Sequence, residues 1–132
     1  MKKIILITIV MLIVALSSFS ILQTPKKWIV PISSKNTINP IKSDENSIKI
    51  GLELYKKNCS SCHGRTGLGN GSKSALLETF AGDFTSESFQ KQTDGELFYK
   101  TKTGRGEMPS YKGKIEDEGI WNLVNFMRTF KK

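Results

Sequence analysis

Cys59, Cys62 and His63 are the chain's only cysteines and its only histidine, and all three stand within the stretch "CSSCHG". A Cys-x-x-Cys-His run is the attachment signature of a c-type haem. The spacing has a physical cause. Residues three apart on a helical turn face the same way, so two such thiols can add to the two vinyl groups along one edge of a porphyrin and form thioethers. The next residue then lies beneath the ring, where His63 offers an imidazole nitrogen to the iron. Other chemistries suit the triplet less well. A disulfide between Cys59 and Cys62 is compatible with an oxidising compartment but gives the adjacent histidine no role. A thioredoxin-like dithiol needs a βαβ setting, and none is visible. Zinc takes four protein ligands, more than two cysteines and one histidine supply.

The same scarcity narrows the second axial position, because no other histidine exists in the chain. The methionines are Met1, Met11, Met108 and Met127. The first two belong to the N-terminal leader, residues 1–22, and Met127 falls on the core stripe of the last helix. Met108 stands in "TGRGEMPSYKGK", a glycine-rich loop, before Pro109, which biases the preceding backbone toward extended geometry. Alone it reads as an ordinary loop methionine. Beside the haem motif it is the expected sixth ligand. His/Met coordination leaves no open position, raises the reduction potential and suits outer-sphere electron transfer.

Helices must position these groups. Ser47 is the expected N-cap of a first helix, in which Ile48, Leu52, Tyr55, Cys59 and Cys62 recur at helical spacing on one face. After His63, "GRTGLGNGS" is too rich in glycine for helix or strand. A short helical piece is expected around 73–78, and irregular chain from Gly82 to Gln92. Thr93 and Glu96 form a capping box for a short helix closed by Gly104. The last helix begins near Glu116, with acids at its start and Arg128, Lys131 and Lys132 at its end, as the helix dipole favours. Ile120, Leu123, Val124, Met127 and Phe130 form its apolar stripe, with Trp121 and Phe126 beside it. No segment reads as a strand. The expected fold is all-α: three to four short helices around one covalently bound haem, preceded by an N-terminal hydrophobic helix.

Met1-Lys2-Lys3 precedes an uncharged apolar run, Ile4 to Leu22. Residues 1–22 are a signal peptide or a signal anchor; the length of the run leans toward the anchor. Either reading exports the rest of the chain, so the expected location is the periplasmic side of the cytoplasmic membrane, anchored by residues 4–22 or otherwise soluble in the periplasm. Residues 23–46 contain Pro25, Pro31 and Pro40 and read as a linker. Trp28, Ile29 and Val30 are unusual for a tether and suit either a strap on the domain or the membrane interface. Residues 47–132 are the haem domain. The net charge of +8 is misleading as a nucleic-acid signal. Residues 1–43 carry six lysines and no acid, and residues 44–132 carry 14 basic against 12 acidic residues. The domain is thus near balance and lacks the basic stripe that phosphate backbones require.

With these residues in place, the chain resembles a class I cytochrome c from Ser47 to Phe130. The resemblance rests on "GLELY", "CSSCHG", "GLGNG", "GEMPSY" and "WNLVNFMRTF" taken together. It implies that the first and last helices cross at Gly51, with Tyr55 and Phe126 packed at the crossing. A glycine inside a helix costs about 1 kcal/mol relative to alanine, and close approach would offset that cost. It implies single-electron transfer between a donor and an acceptor redox protein, not enzymatic turnover, with one haem c held by Cys59 and Cys62 and ligated by His63 and Met108. One position departs from the pattern. Relatives often place a proline after the "GxGxG" stretch, whose carbonyl accepts from the proximal histidine; here Ser72 stands there. Arg105 is either a partner for a haem propionate or an exposed loop arginine. Two alternatives remain: a monohaem subunit of a larger respiratory oxidoreductase, and a haem-based ligand sensor with a displaceable sixth ligand.

Overall fold

The structure, a computed structural model, describes residues 27–132. The signal or anchor reading of residues 1–22, the hydrophobic helix it implies, and the start of the linker lie outside the described residues. Among the described residues six α-helices follow in order: α1 (Ile32–Lys35), α2 (Glu45–Asn58), α3 (Ser60–His63), α4 (Glu87–Gln90), α5 (Asp94–Thr103) and α6 (Asp117–Arg128). A single 3-10 turn, Ser74–Leu76, sits between α3 and α4. Among the described residues there is no strand, only an isolated antiparallel bridge between Arg105 and Met108. The fold is all-α, as expected. None of the described helices is long and apolar enough to cross a membrane.

The core is the crossing of α2 and α6. Tyr55, Ile120, Leu123 and Val124 are almost wholly removed from solvent, and burying each of the three aliphatic side chains stabilises the fold by about 1.5–3 kcal/mol. Gly51 sits at the contact. A Cβ placed there would collide with the Asn122 carbonyl oxygen and lie 2.7 Å from Phe126 Cβ, so only glycine lets the two helices meet this closely. Tyr55 packs one turn on, its ring centroid 5.2 Å from that of Phe126 and 5.4 Å from that of Phe130. Its hydroxyl donates to the Gly64 carbonyl at 2.7 Å, which satisfies a buried polar group and ties α2 to the loop after α3.

Several boundaries differ from the sequence reading. The first helix is capped by Asp44, whose carboxylate accepts from the Ser47 backbone N–H at 3.0 Å. Ser47 is inside the helix and buried, and its hydroxyl donates to Asn122 Oδ1 at 2.6 Å. A long-range polar partner has taken the side chain that local chemistry would have used as a cap. The helix also stops at Asn58. Cys59 leaves helical geometry at φ −120°, and Cys62 belongs to the separate four-residue α3, so the five-residue apolar face is not one continuous helix. The 82–92 segment is not wholly irregular: α4 forms there because the Ser86 hydroxyl caps the Phe89 N–H. The capping box at Thr93 and Glu96, the stop at Gly104 and the last helix starting after Glu116 all match.

The described part of the 23–46 linker does not hang free. Asn39 Nδ2 donates to Asn125 Oδ1 at 2.8 Å, and Asn125 Nδ2 donates to Ser47 Oγ at 2.8 Å and to the Ile41 carbonyl at 3.2 Å. These bonds tie residues 39–41 to both core helices. Farther back, α1 rests on α5 because Gly95 presents no side chain; a Cβ there would collide with the Ser34 carbonyl.

Candidate haem site

Beside the crossing lies a partly open cleft of about 190 Å³. Its floor and walls are chiefly apolar: Phe84, Phe89, Leu97, Leu123 and Met127 line it, together with Trp28, Ala81 and Gly82. Cys59, His63 and Met108 all reach this one cleft, although Met108 comes from a loop 45 positions after His63. Cys62 is not among the lining residues. It is half-buried in the adjoining turn, close enough that its thiol adds to the shift at Cys59. Met127, expected in the core, is buried and also forms part of the cleft wall.

The attachment turn is framed by main-chain bonds. Cys62 and His63 N–H groups donate to the Cys59 carbonyl at 3.1 and 2.9 Å. The glycine-rich loop then folds back, its Gly69, Gly71 and Lys73 N–H groups donating to the carbonyls of His63, Cys62 and Ser61 at 2.8, 3.1 and 2.7 Å. A Cβ on Gly71 would run into the Ser61 and Ser60 carbonyls. Phe84 N–H donates to the Gly67 carbonyl at 2.7 Å, and the Phe84 ring lies 4.5 Å from the His63 imidazole, centroid to centroid. The glycines of "GRTGLGNGS" thus serve to wrap the turn.

Both thiols are free. Burial, with a smaller contribution from Cys62, pushes the Cys59 thiol up to about 12. Reactive thiols work through depressed pKa values, so Cys59 lacks the property that thiol–disulfide exchange requires. Burial also holds His63 below the ordinary imidazole value, with the Ala81 backbone acting in the opposite direction. A neutral imidazole is the form that binds a metal. His63 Nδ1 is buried and has no hydrogen-bond partner. A buried unpartnered nitrogen, two free thiols and an apolar slot fit a flat apolar ligand with a metal at its centre.

The Met108 loop is held from two directions. Arg105 and Met108 exchange backbone hydrogen bonds at 2.9 and 3.0 Å across a turn in which Gly106 takes φ +56°. Glu107, next to Met108, accepts from the Glu78 and Thr79 backbone N–H groups at 3.0 and 3.1 Å and from the Thr79 hydroxyl at 3.2 Å. Donation by the Glu78 and then the Thr79 groups outweighs the cost of desolvation and leaves its carboxyl below the usual range. Sequence reasoning missed this latch. The only local sign is a carboxylate at a loop tip, and its partners lie 28 and 29 positions away. Arg105 is found with its guanidinium 4.6 Å from the Trp28 ring centroid.

Comparisons with known proteins agree with this geometry. Residues 46–127 match the family described as Cytochrome C oxidase, cbb3-type, subunit III. Cytochrome c6 of Gracilaria tenuistipitata var. liui is 28% identical over 58% of this chain and 67% of its own length. Cytochrome c6 of Euglena gracilis is 27% identical over 60% of this chain and 87% of its own. Among solved structures, the KustC0563 c-type cytochrome superposes with a TM-score of 0.54 at 30% identity, over 62% of this chain and 98% of that one. A chain of the Kuenenia stuttgartiensis reducing HAO-like protein complex Kustc0457/Kustc0458 gives a TM-score of 0.66 at 22% identity over 84% of this chain, a likeness of fold. The present chain spans only 53% of that neighbour's length. The cofactor is a covalently bound haem c, and the chain belongs to the class I monohaem c-type cytochromes, within the family of the cbb3-type cytochrome c oxidase subunit III.

Proposed function

We propose that this electron-carrying cytochrome passes single electrons between redox proteins on the outer side of the cytoplasmic membrane. In this reading Cys59 and Cys62 hold the haem through thioethers, His63 is the fifth ligand of the iron and Met108 the sixth. The single observation that carries it is the convergence of Cys59, His63 and Met108 on one apolar cleft. When bound, the haem supplies a ferric/ferrous couple. The chain's own part is to orient and to exclude. The His63 side is immobilised by the α2–α6 crossing and the glycine wrap, and the Met108 side by the Glu107 latch. Phe84, Leu97 and Leu123 keep water away and favour the less charged oxidation state. Neither axial position is left for a substrate, which argues against catalysis and against a ligand sensor. Leu76 and Phe80 are 80% and 72% exposed. They stand on the segment that also delivers Ala81 and Gly82 to the cleft, so an apolar partner face docked there would lie near the haem. Export, by a cleaved leader or an anchor at residues 4–22, is inferred from the apolar run following Met1-Lys2-Lys3.

The test is expression of the full chain beside a c-type maturation system. Intact-mass analysis should show one haem adduct, and a redox titration one reversible one-electron step. Met108→Ala should keep the adduct and lose the ferric methionine–iron charge-transfer band. A colourless product at the apoprotein mass overturns the reading; an unchanged band in Met108→Ala assigns the sixth position elsewhere. A role as the monohaem subunit of a larger respiratory oxidoreductase is supported by the family description and by the complex-borne structural neighbour. Co-purification of the native protein with membrane subunits distinguishes it from a free shuttle.

A further inference from the structure

One wall of the cleft comes from outside the family-matched region. Trp28 lines it with Met108 and Lys100, yet lies well ahead of residues 46–127. Its segment is anchored along its length. The Thr93 hydroxyl donates to the Lys35 carbonyl at 2.7 Å, Lys35 pairs with Glu96 at 3.6 Å, and Asn39 donates to Asn125 at 2.8 Å. The indole is bracketed by two cations: the Arg105 guanidinium at 4.6 Å and the Lys100 ammonium at 5.7 Å from the ring centroid. Arg105 is bridged to Met108 by the backbone pair at 2.9 and 3.0 Å. A cation over an indole is attracted by the negative face of the ring, more strongly where water is excluded. Trp28 is thereby coupled both to α5, through its strap, and to the turn that carries Met108.

We propose that Trp28 is a further residue of the haem site. The strap closes the Met108 side of the cleft, and the indole, clamped by Arg105 and Lys100, positions the Met108 turn and bars small ligands from the iron. The inference rests on the reading of Met108 as sixth ligand. Trp28 acts as a positioning residue: it covers the thioether's approach and leaves ligation to Met108. Removing it opens a route beside Met108 and loosens the turn through Arg105.

The experiment uses the full-length ferric holoprotein with imidazole as probe. Trp28→Ala should bind imidazole about tenfold more tightly than wild type, equivalent to ~1.4 kcal/mol, with a weakened methionine–iron band. Trp28→Phe retains an aromatic face and should stay within about twofold of wild type. Equal imidazole affinity in all three proteins, with the band intact, overturns the proposal. If Trp28→Ala fails to accumulate, the emission difference between wild type and Trp28→Phe isolates Trp28 from Trp121. Quenching of that emission by the haem is expected, and full-strength emission overturns the proposal. Failure of the underlying ligand reading shows separately, as an unchanged band in Met108→Ala.

Discussion

The two sides of the cleft are built by different means. The His63 side rests on helix against helix: α2 meets α6 at Gly51, aromatic rings surround Tyr55, and the attachment turn continues directly from α2. The Met108 side has no helix of its own. It is a bridged turn, held by one exposed carboxylate and by a strap from far upstream. Stability on the first side comes from buried apolar area, which is cooperative and hard to remove piecemeal. On the second it comes from a few separable polar and cation–aromatic contacts, each worth little alone. The difference teaches that the position of His63 is set by the fold, and that of Met108 by contacts that can be tuned without endangering it.

Substitutions can break or sharpen that contrast. The largest effect is expected at Gly51→Leu, where the obstructing atoms are the Asn122 main chain and Phe126 Cβ. Overpacking of this kind should cost about 3 kcal/mol, far more than the ~1 kcal/mol gained in helix propensity, read from denaturant midpoints of the holoprotein. Asn125→Ala comes next. It leaves Ser47, Asn39 and the Ile41 carbonyl short of a partner, and should cost about 2 kcal/mol while the haem adduct is retained. Glu107→Ala should leave the denaturation midpoint in place yet raise the affinity of ferric holoprotein for imidazole by roughly threefold. A drop in global stability equal to that of Asn125→Ala would erase the distinction between the two sides. The smallest effect concerns Glu96. Burial raises its pKa, but the Thr93 N–H and the charges of Lys35 and Lys100 outweigh that and leave it lowered. A depressed carboxyl contributes stability that is present above its unfolded value and lost as pH falls through its folded one. The midpoint advantage of wild type over Glu96→Gln should therefore shrink below about pH 4.3. An advantage that persists in acid would mean that the carboxylate's charge does not hold α5 and its strap.

The same division explains what could be read from the sequence. Cys59, Cys62 and His63 announce themselves by local spacing, and the α6 stripe by its period, so the proximal half was legible. Thr93 with Glu96 marks the start of α5 for the same reason: a capping box is closed within four residues. The misses share a cause as well. Ser47 resembles a cap because its true partners, Asn122 and Asn125, lie more than 70 positions away. Asn122 and Asn125 interrupt the apolar stripe and, read in one dimension, look like surface residues, yet both are buried. The packing of Trp28 against the domain has no local signature, because Lys100 and Arg105 cannot be paired with it by any short-range rule. Met108 is reached in the sequence by eliminating its rivals, and the structure brings it to the cleft independently of that elimination.

The loop after His63 grips the carbonyls of the attachment turn and leaves its side chains alone. Ser60 and Ser61 therefore meet the loop through their main-chain oxygens, while their hydroxyls turn to close neighbours, Ser60 to the Lys56 carbonyl at 2.8 Å and Ser61 to the Cys62 sulfur at 3.9 Å. The stricter demand falls on Gly71, where a single methyl group would run into the Ser61 and Ser60 carbonyls and push the setting apart.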